Sequence, residues 1–132
     1  MSEQENIRLV QQTYEGYRKG DLRPLLSLLA DEVEWVSPEL EGVSGTGGCC
    51  GCEDVSKYFS TINEHAEIRH FEPSEFIAQG EKVVVLGHSA ATARATGKKY
   101  ESDWAHVFTL KDGKIVRFQQ YFDTAATAAA FR

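Results

Sequence analysis

Positive charge is what this sequence most plainly lacks: 14 Lys and Arg stand against 20 Asp and Glu, for a net charge of -6. Neither nucleic acid nor an anionic membrane surface attracts such a chain, so neither is an expected partner. Apolar runs are short, and none approaches the roughly 20 residues of a membrane span. The opening MSEQENIRLV carries acids where a secretory signal needs a basic region and an apolar stretch, so a cytoplasmic protein is expected. Cysteine is scarce and badly placed for staples. Three thiols are an odd number, and Cys49, Cys50 and Cys52 crowd together in one loop, so neither a disulfide framework nor a four-ligand metal site is expected. Repeats, low-complexity linkers and domain boundaries are missing too, so residues 1–132 read as one domain large enough to bury a core.

What is present falls into two halves. Ser2 and Glu5 match a capping box, and Ile7, Val10, Tyr14 and Tyr17 recur at helical spacing up to Gly20, which predicts a helix over 3–19. Asp21 is the expected cap of a second helix that tolerates Pro24 in its first turn, buries Leu25, Leu26, Leu28 and Leu29, and ends near Ala30. A brief strand is expected over 33–36, stopped by Ser37-Pro38. The glycine-dense stretch 42–51 reads as loop, and Val55, Tyr58, Phe59 and Ile62 mark a third helix.

From Ile68 the period changes to that of strands: 68–79 with Pro73 at a bulge or edge, 82–95, 99–111 and 114–122. Turns at 79–81, 95–97 and 111–113 suit antiparallel hairpins. The terminal TAATAAAF predicts a short helix behind an Asp123 cap. Helices first and a strand meander afterwards give an α+β fold: a curved, cone-shaped antiparallel sheet with the N-terminal helices packed across its concave face.

Alternation places Trp104, His106, Phe108 and Leu110 on one apolar face, which makes His106 the sharpest chemical feature of the chain. Burial among aromatics lowers an imidazole's pKa, and a ligand lying against it could then exchange a proton near neutrality. A three-residue turn with Gly113 left-handed sets Phe118 across from His106 and Gln120 across from Trp104, whereas a four-residue turn sets Gln119 and Tyr121 there. The first aligns Val116 and Phe118 with the apolar face and is the expected register. The first helix should bring Tyr14 and Tyr17 over the same interior as Trp35. Asp103 is expected to face away from His106, and His65, His70 and His88 to meet solvent or sheet edges.

The order of elements, with GD at 20–21, LLADEVEW at 28–35 and VFTLKDGKIVRFQQYFD at 107–123, resembles the SnoaL-like branch of the nuclear transport factor 2-like superfamily, related to ketosteroid isomerases and polyketide cyclases. The resemblance implies a pocket with His106 where the enzymes carry a functional Asp. It also marks departures. The isomerase base position is similar to Ser37, the helix-one tyrosine falls on or beside Thr13, and the Arg that epoxide hydrolases place two residues before the pocket acid is Trp104.

Three functions follow as expectations. The first is cofactor-independent isomerase- or cyclase-type chemistry on a small hydrophobic carbonyl compound, with His106 as catalytic acid or base and Tyr14, Tyr17, Trp35, Phe59, Trp104, Phe118 and Gln120 as ligand-binding residues. The second is a binding domain that uses the same cavity without chemistry. The third is an interaction module. A homodimer through the convex sheet face suits all three, as the resemblance implies.

Overall fold

Ser2 and Glu5 close the reciprocal cap read in the sequence: the Glu5 amide donates to Ser2 Oγ at 3.1 Å and the Ser2 amide to Glu5 Oε1 at 3.0 Å. They start α1, Glu3–Arg18, in a computed structural model that describes residues 2–40 and 46–132. The chain continues through α2 (Arg23–Leu28), β1 (Leu29–Val36), β2 (Cys49–Cys50), α3 (Cys52–His65), β3 (Ala66–Gln79), β4 (Lys82–Ala93), β5 (Lys99–Lys111), β6 (Lys114–Phe122) and α4 (Thr124–Ala130). Among the described residues, no helix is long and apolar enough to cross a membrane.

The six strands form one open, curved sheet in the order β2-β1-β6-β5-β4-β3. α1 and α3 pack on it, and the core fills the space between, from Val10 and Tyr14 on α1 to Val83, Val85, Phe108 and Ile115 on the strands. The α+β architecture is the expected one, with local corrections. β1 starts at Leu29, four residues before the expected strand, because it runs alongside β6 from Leu29↔Ile115 to Val36↔Gln119. That pairing is parallel, so the sheet is not wholly antiparallel. α2 accordingly stops at Leu28. Its N-cap is Leu22, while Asp21 accepts from the Arg23 amide at 3.0 Å and pairs with the Arg23 guanidinium. The expected loop 42–51 contains β2, whose two residues pair with Glu34 and Trp35. Positions 42–45 of that stretch lie outside the described residues.

The β5–β6 hairpin corrects both expected registers. Asp112 (φ 49°) and Gly113 (φ 78°) are both left-handed, a two-residue turn that joins Lys111 to Lys114. Thr109 faces Arg117 whereas Leu110 faces Ile115, so Val116 is the extra residue of a bulge. The bulge sets Gln120 opposite His106 and Phe122 opposite Trp104. Two further bulges bend edge strand β3, at Arg69 and at Ser74 beside Pro73.

Candidate functional site

The inner face of β5 and β6 supplies the floor of a cavity of about 170 Å³ between the sheet, α1 and α3. All eight candidates from the sequence line it: Tyr14, Tyr17, Trp35, Phe59, Trp104, His106, Phe118 and Gln120. Ser37, Tyr58, Phe71 and Phe108 line it as well.

Aromatic stacking sets the shape of the wall. Phe71, Trp104 and His106 form a continuous stack, with centroids 5.0 and 4.0 Å apart, and Tyr14 lies near-parallel to both Trp104 and His106. Trp35 lies flat on Phe118 at 3.9 Å, and Phe118 turns its edge to His106. Gly87, opposite Trp104 on β4, makes room for this. A Cβ there would collide with the indole ring and with the Glu72 carbonyl, so any side chain would push Trp104 off the sheet.

A polar thread runs through the aromatic wall. Tyr14 Oη lies 2.5 Å from His106 Nδ1. Gln120 hydrogen bonds to the ring from the opposite strand. Its Nε2 donates to Ser37 Oγ and to Tyr58 Oη, both at 2.7 Å. The Ser37 and Tyr58 hydroxyls are 3.3 Å from each other.

Burial drives the imidazole down to about 3, against a smaller opposing effect of the Gln120 hydrogen bond. Desolvation also raises the Tyr14 phenol well above its ordinary value and pushes Tyr58 up to about 12. At neutral pH the ring is therefore uncharged, with one N–H. The order that satisfies these contacts has the Tyr14 hydroxyl donating to Nδ1 and Nε2–H turned to the Gln120 carbonyl, while the Gln120 amide gives both hydrogens to Ser37 and Tyr58. Tyr58 O–H comes last in this order and, among the described residues, has no acceptor but the long contact to Ser37. Among the described residues, the buried indole N–H groups of Trp35 and Trp104 have no partner. Among the described residues lining the cavity there is no Asp, Glu, Lys or Arg.

The remaining candidates lie elsewhere. Asp123 caps α4 by accepting from the Ala126 amide, and Asp103 points outward against His88. His65 bonds the Thr61 carbonyl, His70 pairs with Glu72, and Cys52 Sγ sits over the Leu29 and Ala30 carbonyls of β1. Tyr58 and Ser37 are the site residues that sequence reasoning missed. Tyr58 stood in the helical stripe with Val55 and Ile62, and Ser37 was noted only as a missing base.

The domain model described as SnoaL-like domain matches residues 10–118. No curated protein matches the chain. Among solved structures, an NTF2-like protein from Burkholderia xenovorans LB400 is 32% identical over 100% of this chain and 99% of its own, with a TM-score of 0.88. An NTF2-like protein of unknown function from Burkholderia pseudomallei K96243 is 31% identical over 99% and 98%, at TM-score 0.84. TerC, co-crystallised with polyporic acid, is 31% identical over 96% and 98%, at TM-score 0.85. With its helices laid over an open curved sheet and the family's domain model spanning most of its length, this chain belongs to the SnoaL-like domain family of the NTF2-like superfamily.

Proposed function

We propose that the cavity binds the uncharged ring of a small compound through a carbonyl oxygen, as a binding domain whose buried His106 orders the donor group instead of transferring protons. The observation that carries this reading is the hydrogen-bond order running from Tyr14 to Tyr58, which leaves a donor at its end within an uncharged aromatic cavity. An acceptor on the ligand completes that order, and the two unpartnered indole N–H groups favour acceptors as well. The described lining, which carries no formal charge, favours an uncharged group inside the cavity. The volume of about 170 Å³ compares with the roughly 150 Å³ of a cavity that takes up benzene, which suits one or two fused rings. Co-crystallisation of TerC with polyporic acid supports a small-molecule role for a domain of this kind.

Acid–base catalysis through His106 would require a group that titrates near neutrality. Here His106 falls to about 3 and Tyr58 rises to about 12, which favours binding over isomerase- or cyclase-type chemistry. The test is titration of 1-indanone and of indane, its carbonyl-free counterpart, against intrinsic tryptophan fluorescence. Wild type should prefer the ketone, and Tyr58→Phe should weaken ketone binding about three- to tenfold with indane unchanged. Absence of saturable binding by both compounds sinks the reading.

The convex face carries Ile77, Leu86, Val107 and Tyr121, of which Ile77 and Tyr121 are about half exposed, and we propose that two copies pair there. Sedimentation should then give a dimer that Tyr121→Arg dissociates.

A further inference from the structure

A groove of about 690 Å³ runs past the ends of α1 and α3 and the start of β3. It shares Tyr17, Phe59, Ile62 and Phe71 with the aromatic cavity, and each of these four is only half-buried, as a rim between two hollows would be. Its wall holds Arg18, Arg69 and Arg94 against a single carboxylate, Glu67. Three guanidinium groups in one groove are a local reversal of sign for a chain of net charge -6. Two of them have structural duties: Arg18 lies in the last turn of α1, where a cation suits the helix dipole, and Arg94 Nε holds the Asn63 carbonyl at 3.0 Å. Arg69 has none. It is the extra residue of the bulge between Ile68↔Ala91 and His70↔Ala90, so it leaves the sheet's alternation, and no carboxylate among the described residues pairs with it. Bulges of this kind re-aim a side chain at the edge of a sheet.

We infer that the groove is an anion subsite: the ligand carries, beyond the ring seated in the cavity, a carboxylate or phosphate tail that crosses the rim and lies against Arg69, Arg18 and Arg94. This extends the binding role proposed above and rests on it for the ring half of the ligand. The interior recognises the neutral ring and the groove recognises the charge. Guanidinium groups suit both oxyanions through paired N–H donors.

The experiment titrates the whole chain with 4-phenylbutanol, 4-phenylbutyrate and 4-phenylbutyl phosphate at low and high salt. At low salt either or both anions should bind about tenfold more tightly than the alcohol, and added salt should shrink that preference. The anion with the larger advantage identifies the tail. Arg69→Ala and Arg18→Ala should each remove most of the preference while leaving the alcohol's affinity unchanged, and Lys111→Ala, on the distant hairpin, should leave it intact. Equal affinities for alcohol and anions overturn the subsite and leave the cavity reading standing. An anion preference that Lys111→Ala reduces as much as Arg69→Ala overturns it too, since it would then reflect overall charge. Failure of the alcohol and of both anions alike to bind brings down the cavity reading, and the subsite with it.

Discussion

The two faces of one sheet give the same residue type opposite properties. His106 and His88 stand on neighbouring strands, β5 and β4, but His106 points into the cavity and His88 away from it. Inside, desolvation drives the imidazole down to about 3. Outside, hydrogen bonds that the His88 ring donates to Glu101 at 3.0 Å and to Asp103 at 2.8 Å raise it above its ordinary value. The lesson is that neither His can be read from its residue type; the face decides whether burial or partner charges dominate.

The comparison is sharpest in adjacent residues. Phe108 is 2% exposed on the inner face, whereas Val107 beside it is half-buried on the outer one. Phe108→Ala should lower unfolding free energy by about 3–5 kcal/mol and Val107→Ala by under about 1 kcal/mol, measured by urea denaturation. Equal costs would mean that the outer face is as tightly covered as the inner one.

Next in size is the pH dependence of stability. His106 binds its proton near pH 3 when folded and near 6.5 when unfolded, so between these values the unfolded chain holds more protons. Stability should therefore fall as the pH drops from 6.5 towards 3, by up to about 1.4 kcal/mol per unit from this residue. In His106→Gln the slope in that window should flatten, and an unchanged slope would place the cause in other groups.

Breaking the polar thread should cost less. Gln120→Leu removes the donor to Ser37 and Tyr58 and the acceptor for His106, so 1-indanone affinity should drop about tenfold while 4-phenylbutanol, which has no carbonyl, is affected less.

The smallest effect belongs to the outer face. His88 titrates above its free value, so its pairing contributes stability below the unfolded pKa, and this is lost as pH rises through the folded one. In NMR titrations, Glu101→Gln should move the His88 midpoint back towards 6.5, and added salt should do the same. A midpoint that ignores both changes would remove the outer half of the comparison.

Much of the fold was legible because its signals are local. The capping box at Ser2 and Glu5, the 3.6 period of α1, and the alternation of 104–110 each depend on neighbours a few residues away. The hairpin register was not legible, since the bulge at Val116 reflects the pairing of β6 with both β5 and β1. Tyr58 was missed for a related reason: a helical stripe shows that a tyrosine faces inward, not what its hydroxyl meets.

Alone, the sequence determined which side chains face inward and that one imidazole stands among aromatics, because side-chain direction follows from backbone period. Only the tertiary structure decided that the imidazole is neutral, held by Tyr14 from 92 positions away, and tied through Gln120 to Tyr58. Desolvation and hydrogen-bond order depend on everything packed around a group, and that surrounding is assembled from α1, α3, β1 and β6 together.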